Sequence, residues 1–535
     1  MKLRVIVLFL VLACVGASLC ADDGHDHMGA GEKLGNVSFP TSCAAKVQKS
    51  FERGVALLHS FEYEQSERQF KEVAGKDPSC TMAYWGQAMS LYHQLWSRPT
   101  KAELQHARDL LEHAQELKPK TEREREYIST LAVFYRNSDK LDHDQGADAY
   151  AAAMEELYRH NPKDREAAVF YALALLGSGH EKDLTLANQR KAVSILNGLF
   201  EQDPGHPGIA HYIIHACDNP AMARLGLAAA RKYASIAPSS PHAVHMPSHI
   251  FARLGLWQDD IQSNEAALHV VEQMGDMHVH LMHHKMHSLD FLESAYLQIG
   301  DDRKAKAEWN NLLTIRGEDV EEEFQDYYYA MCTGFAARYM LERRQWQEAL
   351  ALQPPEGARP FVRALTFWAH AVAAGHMHDA AAAQVAADQF NAMIEATRKS
   401  DKPHQVTAMS NTHDEAQAWL AFAQGKNEDA VRLLRSVADK QDKVGKGETE
   451  TPAREMLADM LLEMNHPQEA LAEYEISLKT DPNRFNGLFG AARAAEMARH
   501  KEKASAYYTQ LVENCKGIDS DRPELVKART LVAKR

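Results

Sequence analysis

Two short segments of the chain carry the same pair of histidines. The first contains Pro207, His211 and His215, and all three residue types recur 34 positions later, where the histidines are His245 and His249. Histidines four residues apart lie on one face of a helix. Packed helices lie about 8–10 Å apart, so two such pairs on neighbouring helices can reach one metal ion. The spacing therefore predicts a metal site between two repeated helices.

The residue types favour a transition metal. Imidazole nitrogens bind zinc, copper, iron and nickel, and the methionines between residues 274 and 286 offer soft thioether sulfur. We therefore expect copper or zinc, with iron as a further possibility. A lone histidine usually only forms hydrogen bonds, but 12 of the 28 histidines fall within the 82 residues from 206 to 287. The methionine-rich run itself is predicted to be a mobile or interfacial helix segment without ligands.

Helices must position these histidines. Apolar residues recur every three or four positions, and proline and glycine separate the apolar segments from one another. No strand-like alternation of period two competes with this pattern. A chain of 535 residues also exceeds one compact core, so it needs several domains or a repeat array. The sequence therefore predicts an all-α repeat protein.

The spacing of small, aromatic and proline residues resembles the tetratricopeptide (TPR) superfamily. Gly54, Phe70 and Pro78 fit the positions where two helices cross, where an aromatic ring fills the gap and where the unit ends. TPR units are about 34 residues long, the interval that separates the two histidine segments. The resemblance implies a right-handed superhelix (α-solenoid) of about nine to ten helical hairpins. We expect one array at 44–316 and a second array with a capping helix at 317–535.

Two further motifs indicate a smaller group of proteins within this superfamily. Met-Ala-Tyr-Trp-Gly at 82–86 and His-Met-Pro-Ser-His-Ile at 245–250 look like a group of exported, mostly bacterial TPR proteins. That group implies no particular activity. The superfamily implies a groove that binds a peptide or protein, although this is an analogy at the level of the fold.

The TPR resemblance also implies which positions face the inner groove, namely two, five, nine, twelve and thirteen of each first helix. The register starts at Pro207 and Pro241 in two units and is set by Gly300 in the next. We expect the metal ligands to come from His211, His215, His245, His249, His287 and Asp290. The other groove candidates are His59, Trp85, His93, Trp96, Asp218 and His242. The two tryptophans have the alternative role of filling gaps between helices.

The start of the chain indicates export. Residues 1–21 combine a short positive end, an apolar run and small residues, which together read as a secretory signal peptide. The product would be periplasmic or secreted, and a lipoprotein signal ending at Cys14 is the weaker alternative. Residues 22–43 are polar and are predicted to be a disordered tail. No later stretch is long and apolar enough to span a membrane.

Cysteine content and charge limit the partners further. Cys43 and Cys80 flank the first predicted repeat and can pair in an oxidising compartment, although two separate buried cysteines fit equally well. The formal net charge of −14 repels phosphate backbones, so we expect no nucleic-acid partner.

Three functions fit these residues. The first is an exported scaffold that binds a peptide, a protein or a small ligand in its groove and carries a metal. The second is a metalloenzyme in which three or four histidines activate water or oxygen, with Asp290 as a base. The third is an interaction scaffold whose histidines only form hydrogen bonds. The sequence contains no phosphate-binding loop, no nucleophile elbow, no His-Glu-x-x-His and no Cys-x-x-Cys motif.

Overall fold

The protein is all-helical throughout the part of the chain that its computed structural model describes. The described residues are 31–95, 98–136, 138, 142–179, 185–275, 279–320 and 322–534, without the side chains of 279, 280 and 323. The predicted signal peptide, residues 22–30 of the predicted tail and Trp96 lie outside them. No helix in the described ranges is long and apolar enough to cross a membrane.

The helices follow one another with short connections. They are, in chain order, α1 Gln48–His59, α2 Tyr63–Lys76, α3 Thr81–Ser90, α4 Lys101–Glu116, α5 Glu122–Arg136, α6 His143–His160, α7 Arg165–Gly177, α8 Ala187–Gln202, α9 Pro207–Cys217, α10 Ala223–Ile236, α11 Pro241–His245, α12 Pro247–Arg253, α13 Trp257–Gln273, α14 Val279–Gln298, α15 Asp302–Leu312, α16 Glu322–Glu342, α17 Trp346–Leu350, α18 Pro360–His376, α19 Ala380–Arg398, α20 Gln405–Ala408, α21 Ser410–Ala423, α22 Asn427–Val444, α23 Ala453–Glu463, α24 Pro467–Thr480, α25 Phe485–Met497, α26 Lys501–Asn514 and α27 Pro523–Ala533.

Consecutive helices pack as hairpins, which makes the fold a TPR-like α-solenoid. Pairs run from α1/α2 to α25/α26, with α11 and α12 together in the first-helix position before α13, and α27 follows the last pair. Twelve hairpins can be traced in the described residues, slightly more than the nine or ten predicted. The difference comes from irregular hairpins such as α16/α17, whose second helix has only 5 residues.

Glycines allow the hairpin helices to approach closely. Phe70 of α2 is fully buried between Gly54 of α1 and Gly86 of α3. A methyl group on Gly86 would lie 2.5 Å from the Phe70 ring, which is too close for any side chain. The first hairpin thus packs as the repeat pattern predicts.

A proline divides the helix that carries the second histidine pair. Pro247 has no backbone N–H to donate, so α11 ends at His245 and α12 begins at Pro247. The intervening residue, Met246, keeps right-handed helical dihedrals. The chain therefore continues in nearly the same direction, and His245 and His249 stay on the same side.

Contacts also join hairpins that are distant in sequence. Helix α1 packs against α9, and α14 packs against α25. The indole N–H of Trp257 donates to the carbonyl of Asn483 (2.8 Å), whose side-chain amide donates to the carbonyl of Gly255 (3.0 Å). The loop between α22 and α23 reaches back to α14, where Thr449 donates to Asp290 (3.0 Å).

The end of the predicted disordered tail is packed against the array. Phe39 is fully buried, and its ring lies 5.0 Å from that of Tyr127. The hydroxyl of Ser42 donates to Glu124 (2.7 Å), and the backbone N–H of Asn36 donates to the carbonyl of Gly205 (2.9 Å). The prediction of disorder is therefore wrong for residues 34–43, because a single buried aromatic ring anchors a segment whose composition is otherwise polar.

The structure pairs Cys43 with Cys80, which is one of the two arrangements that the sequence left open. The bond ties the packed N-terminal segment to the residue before α3. Cys217 and Cys515 are buried thiols, and Cys332 is a half-buried thiol.

Candidate metal centre

The histidines of α9, α11, α12 and α14 form two triads. Ring nitrogens of each triad lie within 4.8 Å of one another. We call them triad A, which consists of His211, His215 and His242, and triad B, which consists of His245, His249 and His287. Each i, i+4 pair meets within one triad, whereas the sequence predicts that both pairs reach a single ion.

In triad A, three imidazoles point their Nε2 atoms at one place. Nε2 of His211 lies 3.0 Å from Nε2 of His215 and 3.0 Å from Nε2 of His242. The Nδ1–H of His211 donates to the carbonyl of His59 (2.6 Å), which can only accept. Nε2 of a neutral His211 therefore carries a lone pair that faces two other ring nitrogens. A single lone pair cannot accept two N–H groups well, whereas one cation can accept three lone pairs.

In triad B, a similar hydrogen bond fixes the first ring. Nδ1–H of His245 donates to Oδ1 of Asn264 (2.6 Å), and the amide of Asn264 donates to Asp260 (2.7 Å), which orients its oxygen toward the histidine. Nε2 of His245 is therefore the free ligand atom. It lies 3.1 Å from Nε2 of His249.

The second ring of triad B is held by carboxylates. Nδ1–H of His249 donates to Oδ2 of Asp218 (2.9 Å) and to Oε1 of Glu448 (3.2 Å). The guanidinium of Arg253 donates to the same two carboxylates (2.9 and 3.1 Å). Metal-binding histidines commonly donate their second N–H to such a partner, which fixes the ring and raises its basicity. The third ring, His287, has its Nδ1 at 3.2 Å from the hydroxyl of Tyr327.

One phenylalanine packs against all three rings of each triad. The centroid of Phe61 lies 4.4 to 5.7 Å from the rings of triad A, and that of Phe291 lies 4.8 to 5.2 Å from those of triad B. Phe61 occupies the left-handed region, with φ at 58°, which is uncommon for a non-glycine residue. The backbone therefore adopts a strained conformation at the residue whose ring covers triad A.

Burial keeps most of these histidines neutral. It lowers the pKa of His211 and that of His287 to about 3, and it lowers the pKa values of His215, His242 and His245 well below 6.5. Neutral imidazole is the form that binds metal. His249 differs: burial opposes its charge, but the nearby Asp218 and Glu448 outweigh burial and raise its pKa to about 10.

The two triads fit a transition metal by donor chemistry. Three converging nitrogens suit copper or zinc, and the hydrogen bonds at Nδ1 of His211, His245 and His249 direct Nε2 to the centre. Four of the six rings are buried, whereas His215 and His287 are half-buried.

The remaining predicted ligand lies elsewhere. Asp290 is bonded to Arg338 (2.5 Å) and to Thr449 (3.0 Å), and the structure does not group it with either triad. A hydrogen-bonded guanidinium stabilises a buried carboxylate more than a distant cation does. Asp290 therefore helps to attach the loop that follows α22.

The predicted groove residues divide into two kinds. His242 is a member of triad A, and Asp218 holds a ligand of triad B. Trp85 is instead buried in the core, where its ring lies 5.6 Å from that of Phe39, as expected for a residue that fills a gap between helices. His93 stacks on Tyr63 at 4.4 Å.

His59 belongs to a separate buried cluster. Its Nε2 lies 2.9 Å from Glu166, whose other oxygen lies 3.0 Å from Nε2 of His206. Nδ1 of His59 lies 2.9 Å from the hydroxyl of Tyr212. Every polar atom in these contacts has a hydrogen-bond partner, so the cluster reads as a structural network. It supports triad A through the carbonyl of His59, which accepts from His211.

Sequence reasoning missed several residues of the site. Glu448 and Asn264 orient the ligands of triad B. The rings of Phe61 and Phe291 pack against the two triads. Glu448 lies in a loop with no recognisable motif, 199 residues from His249. Asn264 and Phe291 look like ordinary helix residues. The repeat register could have indicated Phe61, because this residue follows His59, the last residue of the first groove helix, by two positions.

Comparisons with known proteins add little beyond the fold. No protein-family model matches the chain, and no curated protein matches it. The chain is similar to the solved structure of a human IFIT1 dimer with m7Gppp-AAAA, at 13% identity and a TM-score of 0.36, over 82% of this chain and 90% of that chain. It is also similar to the P58(IPK) TPR domain, at 14% identity and a TM-score of 0.21, over 92% and 99%. Values this low support no argument about function, and the TPR-like fold rests on the helical hairpins themselves.

Proposed function

We propose that this chain is a TPR-like interaction scaffold that carries a transition-metal centre built from triads A and B. The observation that carries the proposal is the orientation of the rings. Hydrogen bonds at Nδ1 of His211 and His245 leave their Nε2 lone pairs facing other ring nitrogens, at 3.0 Å in triad A and 3.1 Å in triad B. The lone pair of His211 faces two ring nitrogens at once, and one cation satisfies that arrangement better than two N–H groups do.

Copper or zinc is the proposed occupant. Both ions accept three imidazoles, and both bind nitrogen at about 2.0–2.1 Å in protein sites. Magnesium, calcium and manganese prefer oxygen ligands, which neither triad supplies from the described residues. Iron, which often takes carboxylate ligands as well, is the less favoured option.

The scaffold part of the proposal concerns partners and location. A TPR-like fold suggests a protein or peptide partner, and we propose that it binds in the groove near the triads. The disulfide between Cys43 and Cys80 supports an oxidising compartment, in line with the export that the sequence predicts.

A metalloenzyme is the second candidate, and one observation favours it. Each triad offers three protein ligands, and a catalytic site keeps a fourth position for water or substrate. His215 and His287 are half-buried, and we propose that a small molecule reaches the triads beside them. The same geometry serves a scaffold and an enzyme, which is why the metal has to be tested first.

Metal analysis of the whole chain tests the proposal. The protein is purified without chelator and without a histidine tag, beside the variant H211A/H215A/H245A/H249A. We expect up to two transition-metal ions per chain and loss of both in the variant. The matched control removes four exposed histidines elsewhere, as H106A/H160A/H466A/H500A, and keeps the metal. Protein that stays metal-free after exposure to copper, zinc and iron would overturn the proposal.

A further inference from the structure

One short helix supplies a ligand to each triad. Helix α11 carries His242 of triad A and His245 of triad B, three residues apart, and their ring centroids are separated by 6.5 Å. The two triads are therefore neighbours along a single helical turn. Helix α14 strengthens the link, because its residue His284 lies 5.6 Å from His242 while His287 completes triad B.

Aromatic rings cover both triads, and one histidine of each triad is half-buried. Phe61 covers the rings of triad A, and Phe291 covers those of triad B. His215 and His287, one from each triad, are the half-buried rings. Any ligand that reaches the triads past these two histidines has to be small, since the other four histidines are buried.

Asp218, Glu448 and Asp290 all bond to groups other than a candidate ligand atom of either triad. Asp218 and Glu448 accept from Nδ1 of His249, which is the ring nitrogen opposite its ligand atom, and Asp290 pairs with Arg338. Six metal-bound imidazoles carry no charge, and Asp218 and Glu448 also face the guanidinium of Arg253, so the charge of two neighbouring metal ions is only partly compensated in a buried site. Cuprous ions carry the smallest charge among the metals that imidazole binds, and a shared small ligand from solution would compensate the more highly charged cupric state.

We infer that triads A and B form one dinuclear copper centre that binds dioxygen between its two ions. The inference rests on the proposed function and adds the ligand and the coupling of the two sites. The binding step balances without any other reactant. Each cuprous ion gives one electron to dioxygen and forms one copper–oxygen bond, and the O–O double bond becomes the single bond of a bridging peroxide. No proton is taken up in this step.

Copper loading and magnetic resonance test the inference. The apo full-length chain is loaded with cuprous ion without oxygen, and dioxygen uptake is then measured on exposure to air. We expect uptake of one dioxygen for each pair of copper ions. We also expect two coppers by elemental analysis but little cupric signal by electron paramagnetic resonance, because a bridging ligand couples the two spins. Acid denaturation should release the full signal.

A variant that removes one triad provides the matched comparison. H211A/H215A keeps triad B, so it should bind one copper per chain with a full cupric signal and no paired oxygen uptake. The exposed-histidine control described above should behave like the parent chain.

The outcomes separate the inference from the proposed function. Two coppers with a full cupric signal would show two independent sites, which overturns the inference and leaves the metal scaffold intact. One copper per chain would likewise overturn the dinuclear centre. No bound copper, zinc or iron would overturn the proposed function itself.

Discussion

Nδ1–H of His249 donates to Oε1 of Glu448 across 3.2 Å, although 199 residues separate the two in sequence. Glu448 lies in the loop between α22 and α23, whereas His249 lies on α12. The contact places a loop from the C-terminal part of the chain beside Nδ1 of His249, the ring nitrogen opposite its candidate ligand atom. Arg253 bonds to Glu448 as well and completes the arrangement.

Replacement of Glu448 by alanine is expected to weaken metal binding at triad B. Outer partners of metal-binding histidines typically contribute about 10–100-fold to affinity. We therefore expect a loss of that size for one of two ions, measured by competition with a chelator of known affinity. Glu450→Ala, in the same loop, is the control. Equal affinities in both variants would contradict the role assigned to Glu448.

Replacement of Asn264 by alanine tests the orientation of His245. Without the Oδ1 acceptor, His245 can place its proton on Nε2 and lose the free ligand atom. We expect about tenfold weaker binding in one step of a two-step titration, with the other step unchanged. Ser263→Ala removes a neighbouring bond to α11, between Ser263 and Val244, and should leave both steps intact.

The helical spacing of the histidines could be predicted, because it depends on local geometry. His211 with His215 and His245 with His249 lie on shared faces, as their four-residue spacing requires. The sequence predicts one site and the structure has two triads, because each pair already meets at its own Nε2 atoms and is joined by a third ring from the first helix of the next hairpin. Glu448 could not be predicted from the sequence, since its place depends on how distant hairpins pack.

Gly86→Ala is expected to destabilise the first hairpins by about 1–3 kcal/mol, because the new methyl group overlaps the buried ring of Phe70. The change is measured from the urea midpoint of the transition that includes these hairpins. Gly198→Ala is the matched control on α8, where no atom lies within 4 Å of the added methyl group. That variant should be more stable by about 0.5–1 kcal/mol, because alanine favours a helix over glycine.

Loss of the disulfide should lower the stability of the N-terminal hairpins. The bond closes a loop with a sequence separation of 37, and loops of this length contribute about 2–4 kcal/mol through the unfolded chain. The variant C43A/C80A should therefore unfold at a lower urea concentration. The parent chain under reducing conditions should show the same shift, whereas no shift in either case would contradict the prediction.

Stability is expected to fall with rising pH because of Glu415. Burial raises the pKa of this carboxyl from 4.5 to about 8. Between those values the unfolded chain releases a proton that the folded chain retains, so the free energy of unfolding falls by about 1.4 kcal/mol per pH unit. Glu415→Gln should remove this slope, measured as the difference in urea midpoint from the parent chain between pH 4 and 9. Glu428→Gln, at an exposed position on α22, should retain the slope.

The bonds that join distant hairpins have a mechanical consequence. A solenoid held by neighbouring repeats alone behaves as a spring, because a small rotation at each repeat adds up to a large extension. The bonds between Asn483 and Gly255 and between Glu448 and His249 cross many repeats and oppose such extension. We therefore expect the array to be stiff around the triads, so that thermal bending elsewhere in the chain changes the distances between the six imidazoles very little.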